Sequence, residues 1–320
     1  MRGRQSQSGI QALPESSDFK WKKTRKQIRK HWQLYLLLIL PLMYLVTFKY
    51  VPMMGSQIAF RNYNFKDGVW GSPWIGLDHF SKFFKSPQFF RVLANTLGLS
   101  LYNIFASVLP PIALAIALTY VRNKRWGKTV QMVTYMPYFI STVLVVGILT
   151  QMLSLSGPVN NMINSAGGEK VHFMGAPGLF KTMYVLSGLW QSTGYNAVIY
   201  ISALAAVDQE IHEAARVDGA SIWQRICHID IPSITPTAII LLIMACGRVL
   251  SVGYEKVLLM QNDLNMAASD IISTYVYRIG LQSMQYSYST AIGLFQSVVS
   301  LILLITVNQI AKKASDTSLW

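Results

Sequence analysis

One stretch in the second half of the chain carries residues whose types and spacing point to a specific interaction. Glu213-Ala214-Ala215 is followed after three residues by Gly219, and after nine more by Ile229-Asp230-Ile231-Pro232. The Glu213 carboxylate suits an Arg or Lys on a partner protein. The small residues allow a partner's backbone to approach closely. The pattern therefore predicts non-covalent docking of another protein rather than bond-making chemistry.

Helix-boundary signals place these residues on two short helices within residues 208–232, a segment called the knob below. Asp208 is a suitable N-cap for the first helix, and Gly219 can adopt the positive φ that ends it. Ser221 and Gln224 form a capping-box pattern for the second helix, and Pro232 is expected to close the unit. The alternative is an ordinary amphipathic connector, which the Glu-Ala-Ala triplet alone would favour.

The chain that carries the knob has the composition of a membrane protein. Of its 320 residues, 52% are apolar and 13% charged, whereas a soluble domain carries about 25% charged residues. Runs of about 18 or more apolar residues, the length that crosses a bilayer, recur along the chain. We predict an all-α, polytopic membrane helical bundle with six transmembrane helices within residues 32–311. The predicted spans are residues 32–50, 92–121, 129–153, 183–207, 234–250 and 290–310.

The positive charge is concentrated in alternate loops. The formal net charge is +14, and its basic residues cluster before the first span, between the second and third, and after the sixth. Cytoplasmic loops carry this bias. We therefore expect a basic cytoplasmic N-terminal tail at residues 1–31, a cytoplasmic knob and a cytoplasmic C-terminal tail at residues 312–320. The same distribution argues against a nucleic-acid partner.

The sequence carries no complete motif for catalysis or cofactor binding. Gly127-Lys128-Thr129 imitates the end of a phosphate-binding loop, but Arg122 stands where that motif needs its first glycine. The five histidines lack metal-ligand spacing, and the middles of the spans carry almost no charge for a proton relay. We expect a non-catalytic chain that binds no metal and no cofactor, with its energy supplied by another subunit.

With the knob pattern in place, the chain resembles the permease subunits of sugar-type ABC importers in the maltose-permease superfamily, and within it the LplB/YteP branch, which serves oligosaccharide uptake. The resemblance covers essentially everything after the first thirty residues. Ile231 stands where the family usually has Leu. The other stretches that carry the resemblance are Trp74-Ile75-Gly76-Leu77, Val252-Gly253-Tyr254-Glu255-Lys256-Val257, Ser269-Asp270-Ile271-Ile272-Ser273-Thr274-Tyr275-Val276-Tyr277, Gln285-Tyr286-Ser287-Tyr288 and Ser318-Leu319-Trp320.

The resemblance implies a type I ABC importer permease fold in a bacterial cytoplasmic (inner) membrane. It implies a heterodimer with a second homologous permease subunit, two ABC ATPase subunits that bind ATP and Mg, and an extracytoplasmic solute-binding protein. In that family the knob sits in a cleft of the ATPase. Carried over to this sequence, the ATPase-coupling residues are Glu213, Ala214, Ala215 and Gly219, flanked by Asp218.

The implied solute is an oligosaccharide derived from a polysaccharide, often an acidic one. Importers of the same architecture also take other solutes, such as glycerol phosphate or peptides, and a membrane scaffold or receptor is a further alternative. Aromatic rings can stack on a sugar and amides can hydrogen-bond to it, although helix–helix packing explains the polar middle of the fourth span equally well. The candidate substrate-pathway residues are Trp190, Gln191, Tyr195, Asn196, Arg248 and Tyr254.

A short amphipathic helix is predicted between the first and second spans. Asp78 is its expected cap, and Phe80, Phe83 and Phe84 fall on one face. Such a helix can lie on the bilayer surface. It can also serve as a docking ledge for an external partner, and the sequence leaves both roles open.

Overall fold

The computed structural model describes residues 30–315 and 318–319. Residues 1–29 of the predicted N-terminal tail lie outside the described residues, as do Asp316, Thr317 and Trp320 of the C-terminal tail. In the described part the regular elements are helices, accompanied by one isolated bridge between Arg61 and Trp74. The predicted all-α class is confirmed.

The chain divides into two units, residues 1–57 and residues 58–320. In the first, helical structure runs from Trp32 to Phe60, long and apolar enough to cross a membrane. Its parts are α1 (Trp32–Leu45), a π-helical turn (Val46–Tyr50), α2 (Val51–Met53) and a 3-10 turn (Met54–Phe60), whose last residues belong to the second unit.

The second unit is a helical bundle in which its two long helices Pro87–Tyr120 and Pro177–Ala205 share the most extensive contact. The helix Ile231–Cys246 packs on Tyr286–Ser315 and on Pro177–Ala205. The helices of this unit are α3 (Gly68–Gly71), α4 (Asp78–Lys85), α5 (Pro87–Tyr120), α6 (Lys124–Tyr135), α7 (Thr142–Met152), α8 (Pro158–Ser165), α9 (Pro177–Ala205), α10 (Gln209–Val217), α11 (Ile222–Arg225), α12 (Ile231–Cys246), α13 (Tyr254–Met260), α14 (Met266–Ser269), α15 (Ile272–Tyr277) and α16 (Tyr286–Ser315).

Four helices among the described residues are long and apolar enough to span a membrane, and a bent pair brings the number to at most five. The four begin at Trp32, Pro87, Ile222 and Tyr286. The predicted fourth span lies on α9, whose polar middle lowers its mean hydropathy. Each predicted span therefore coincides with helical structure, while the number six stays a prediction.

The third predicted span is wrong as a single helix. Helix α6 runs into a 3-10 turn at Met136–Phe139, and the axis then bends by 97° into α7. Pro137 lacks a backbone donor and lies in that turn. Ser141 starts α7 afresh, because its hydroxyl accepts the N–H of Leu144 at 3.3 Å. The apolar run is thus broken by local capping chemistry.

The expectation that Pro232 closes the knob is also wrong. A π-helical turn at Ile226–Asp230 joins α11 to α12, so that Ile222–Cys246 is one continuous helix of 25 residues. Pro232 follows the π-helical turn directly, where the regular backbone hydrogen-bond ladder is already interrupted and a missing N–H can be accommodated. The second helix of the knob is therefore the beginning of the predicted fifth span.

The short helix α4 is present, but Asp78 is its first residue and not its cap. The cap position belongs to Leu77, which forms no side-chain cap hydrogen bond. Phe83 is fully buried and packs on the rings of Tyr275 and Tyr288. Phe84 is 44% exposed, and its ring contacts those of Phe89 and Phe295. Aromatic contacts thus anchor α4 in the bundle, and both roles predicted for this helix stay predictions.

A buried carboxylate ties the start of α5 to α15. Asp270 is completely buried, and its Oδ2 lies 2.6 Å from an Arg278 guanidinium nitrogen and 3.5 Å from one of Arg91. Its Oδ1 accepts the hydroxyl of Thr274 at 3.1 Å. A buried charge needs such partners, so this cluster fixes the register of the two helices.

Candidate functional site

The knob begins and turns where the sequence predicts. The Asp208 side chain accepts the backbone N–H of Glu210 at 3.0 Å, which confirms it as the N-cap of α10. Ser221 and Gln224 form the reciprocal capping box at the start of α11, with bonds of 3.3 and 2.7 Å. Both helix starts are thus set by side chains next to them in sequence.

Gly219 ends α10 in a left-handed conformation with φ of +78°. The N–H of Ala220 donates to the carbonyl of Ala215 at 2.9 Å, and the N–H of Gly219 donates to Arg216 at 3.1 Å. These two bonds define a Schellman cap. A Cβ built on Gly219 meets no atom within 4 Å in the part of the chain that the structure describes, so the requirement for glycine there is conformational and not steric.

One face of the knob exposes apolar side chains. Val217 is 88% exposed and Trp223 is 75% exposed, although large apolar side chains are usually buried. Such a patch is typical of a protein-interaction surface. Of the predicted coupling residues, Ala215 is half-buried, and the exposed ones are Glu213, Ala214, Asp218 and Gly219.

The opposite face of α10 is held to the bundle through Asp230, a residue that the sequence analysis did not select. Asp230 is 1% exposed and lies in the π-helical turn. Its Oδ2 accepts the Tyr120 hydroxyl at 2.7 Å. Its Oδ1 lies 3.4 Å from Nε2 of His212 on α10. One carboxylate therefore connects the end of α5, the knob and the start of α12.

A polar cavity of about 530 Å³ lies between α5, α9 and the end of α12; we call it the Arg248 cavity. Asn196 and Arg248 both line it. The Arg248 side chain is exposed and makes no ion pair or hydrogen bond among the described residues. The other polar residues that line the Arg248 cavity were not predicted from the sequence: Ser100, Asn103, Ser107, Tyr184, Tyr200 and Ser251.

The remaining candidates from the fourth span lie away from this cavity. Gln191 donates its amide to the carbonyl of Ile140 at 2.8 Å, which satisfies a backbone group freed by the helix break. Tyr195 stacks on Tyr138 with ring centroids 3.8 Å apart, and Trp190 is half-exposed. These contacts support the helix-packing alternative for Gln191 and Tyr195.

Tyr254 and Lys256 lie on α13, which follows the predicted fifth span. The Tyr254 ring packs on Tyr277, and burial, together with that neighbouring phenol, raises the Tyr254 pKa. Lys256 is 7% exposed; its Nζ donates to the backbone oxygen of Tyr184 at 3.0 Å and lies 4.9 Å from that ring's centroid. Burial lowers the Lys256 pKa to about 8. Tyr184 lines the Arg248 cavity, and Lys256 contacts this tyrosine without lining the cavity itself.

Comparisons with known proteins agree with this architecture. The chain is 43% identical to Protein LplB of Bacillus subtilis (strain 168), over 91% of this chain and 92% of that protein. It is 39% identical to the polygalacturonan/rhamnogalacturonan transport system permease protein YteP of the same strain, over 94% and 95%. A crystal structure of a bacterial ABC transporter involved in the import of the acidic polysaccharide alginate matches with a TM-score of 0.85 and 37% identity, over 92% of this chain and 99% of that chain.

A family model described as the binding-protein-dependent transport system inner membrane component matches residues 98–316. The matched segment includes the knob, both long helices α5 and α9 over most of their length, and the Arg248 cavity. This chain therefore belongs to the family of inner membrane components of binding-protein-dependent transport systems.

Proposed function

We propose that this chain is the permease subunit of an ATP-driven importer of acidic oligosaccharides. The observation that carries the substrate class is that the Arg248 side chain has no partner among the described residues, in a cavity whose described lining includes hydroxyl and amide groups and no carboxylate. A guanidinium at membrane depth costs about 3 kcal/mol or more. A sugar carboxylate would offset that cost with charge-assisted hydrogen bonds.

The names of similar proteins support the same class. One similar permease serves polygalacturonan and rhamnogalacturonan, and one similar structure belongs to an alginate importer in complex with an alginate pentasaccharide-bound periplasmic protein. These polysaccharides contain carboxylated sugars. In this chain, Asn196 and the tyrosines of the cavity would hydrogen-bond to sugar hydroxyls, Arg248 would bind a carboxylate, and the buried Lys256 would add positive potential.

The knob is proposed to be the ATPase-docking element, with Glu213, Ala214, Ala215, Asp218 and Gly219 at the contact. Its exposed Val217 and Trp223 need a covering partner. Two ATPase subunits would hold ATP and Mg, and a second homologous permease would complete the pore as a heterodimer. A solute-binding protein would deliver the sugar from outside. The knob and both termini would then lie on the cytoplasmic side of a bacterial inner membrane.

Motion of the knob can reach the Arg248 cavity directly. Helix α11 belongs to the knob and is continuous with α12, and the end of α12 lines the cavity. Closure of the ATPases around α10 would therefore tilt a helix that forms the cavity wall. No proton or ion relay is needed for this transmission.

Glycerol phosphate is a second candidate solute, because its phosphate would also pair with Arg248. Uptake by proteoliposomes that hold the complete importer and its binding protein separates the two. Trigalacturonate should enter on addition of ATP, and glycerol phosphate should neither enter nor compete. Preference for glycerol phosphate would overturn the assignment of an acidic oligosaccharide.

The coupling role has its own test. Glu213→Lys should abolish ATP-dependent uptake and weaken co-purification of the ATPases, because it reverses the charge at the docking face. Glu169→Lys is the matched control, since Glu169 is an exposed acid outside the knob, between α8 and α9. Wild-type uptake and ATPase binding in Glu213→Lys would refute the coupling role.

A further inference from the structure

A second and larger cavity lies between the knob and the ends of the long helices. Its volume is about 930 Å³, and we call it the Arg225 cavity. Two carboxylates line it, Glu213 and Asp230. The cationic side chains around it outnumber them: Arg122, Lys124, Lys128, Arg216 and Arg225.

The buried carboxylate of this cavity is already engaged. Asp230 uses one oxygen for the Tyr120 hydroxyl at 2.7 Å and the other for His212 at 3.4 Å. Among the ion pairs of the described residues, none joins Asp230 to Arg225, although the two lie on neighbouring turns of one helix. The excess of positive charge in the cavity is therefore not cancelled by Asp230.

Arg225 is the residue that this arrangement leaves without a counter-charge. It is 9% exposed, and its guanidinium carbon lies 5.6 Å from the centroid of the Tyr120 ring. Its Nε has no hydrogen-bond partner among the described residues. Burial of an unpaired guanidinium is costly, and a buried polar atom without a partner needs an explanation. A bound anion would supply both the charge and the missing hydrogen bond.

The two cavities are lined by successive segments of the same three helices. On α5, residues 100–111 contribute to the Arg248 cavity and residues 118–120 to the Arg225 cavity. On α9, residues 184–200 line the first and residues 201–205 line the second. The helix Ile222–Cys246 contributes Ala238 and later residues to the first, and Arg225 and Asp230 to the second. The Arg225 cavity thus continues the polar path toward the knob.

We infer that the Arg225 cavity is a second anion-binding site, which holds a carboxylate of the acidic oligosaccharide as it leaves the permease beside the knob. This inference rests on the proposed function. Arg225 pairs with the carboxylate, and Gln131 and Thr119 in the cavity wall offer hydrogen bonds to sugar hydroxyls. The Asp230 bonds to Tyr120 and His212 hold the wall in place. A phosphate group, free or on a lipid, shares the anionic chemistry, and the experiment below separates it from the sugar.

Binding is measured on the complete importer in nanodiscs, without the solute-binding protein and in an Arg248→Gln background that removes the guanidinium of the other cavity. The probe is fluorescent trigalacturonate, with a neutral galactose trisaccharide as its uncharged counterpart. Arg225→Gln should weaken trigalacturonate binding roughly tenfold and leave the neutral sugar unchanged. Arg125→Gln is the matched control, because Arg125 is exposed in the first turn of α6, next to Lys124, and does not line the cavity.

Unchanged trigalacturonate binding in Arg225→Gln, or an equal loss for both sugars, would overturn the inference. So would displacement of trigalacturonate by inorganic phosphate at the same concentration, or binding in phosphatidylcholine nanodiscs that is lost with phosphatidylglycerol. If Arg225→Gln does not assemble, Arg216→Gln and Lys128→Gln must give the same selective loss. Failure here leaves uptake by the wild-type importer and the Glu213→Lys result intact, so the proposed function is judged separately.

Discussion

Substitutions at Gly219 test the coupling role of the knob at a single residue. Its φ of +78° is unfavourable for residues that carry a Cβ, yet a Cβ there meets no atom of the described residues within 4 Å. Two explanations for a glycine are therefore distinct. Either the Schellman cap needs the left-handed backbone, or a docked ATPase needs the empty space beside it.

The two explanations predict opposite orders for Ala and Asn at this position. Replacement by Ala in the left-handed region costs about 1 kcal/mol, or roughly a fivefold shift in the equilibrium of the α10 end. Asn tolerates that region better but is larger. If backbone conformation dominates, function falls in the order Gly219, Gly219→Asn, Gly219→Ala, Gly219→Val. If partner space dominates, Gly219→Ala outperforms Gly219→Asn.

The structure leads us to expect the conformational order. The assay measures ATPase affinity for the permease and sugar taken up per ATP hydrolysed in proteoliposomes. Helix content of the isolated permease, measured by circular dichroism, should be the same for all variants, because the change is confined to one helix end. Equal activity of Gly219→Ala and wild type, or Gly219→Ala better than Gly219→Asn, would refute the reasoning.

Three further predictions concern packing and charge. Gly194→Ala should lower the melting temperature in detergent by several degrees, because its Cβ would clash with the backbone carbonyl of Thr134; an unchanged melting temperature would contradict this contact. Asp270→Asn should lower the free energy of unfolding by roughly 1–3 kcal/mol, because Arg278 loses its ion-pair partner. Denaturant unfolding in detergent measures this loss, and an unchanged unfolding midpoint would contradict the prediction. Affinity for trigalacturonate should fall as pH rises from 7 to 9, because Lys256, with a pKa of about 8, is charged below that pH and neutral above it; Lys256→Met should remove this pH dependence, and its persistence would exclude Lys256 as the source.

The local features of the knob could be predicted because their causes lie within a few residues. The caps at Asp208 and Ser221 and the stop at Gly219 depend on side chains and backbone groups no more than five positions apart. The role of Asp230 could not be predicted in this way. Its partner Tyr120 is 110 positions away, and only packing of α5 against the start of α12 brings the two together.

The polar middle of the fourth span shows a different limit. Composition identifies polar residues in a helix but does not say which face they occupy. Gln191 and Asn196 are five residues apart, which places them about 140° apart around the helix. Asn196 and Tyr200, at four-residue spacing, share the face that lines the Arg248 cavity. Gln191 instead reaches the carbonyl left free at the break near Pro137, a break that the apolar run conceals.

The continuity of α11 and α12 changes how the knob is understood. A helix from Ile222 to Cys246 is roughly 37 Å long at 1.5 Å per residue. Trp223 is exposed near one end, and Arg248 lies two residues beyond the other. Asp230 fixes this helix near its knob end through Tyr120 and His212. From Asp230 to Cys246 the helix is about 24 Å long, so a tilt of about 5° about Asp230 would move the far end by about 2 Å, enough to stretch a hydrogen bond beyond its usual length. Under the proposed function, Asp230 would therefore be the pivot, and a small displacement by the ATPase would remove Arg248 from a bound carboxylate.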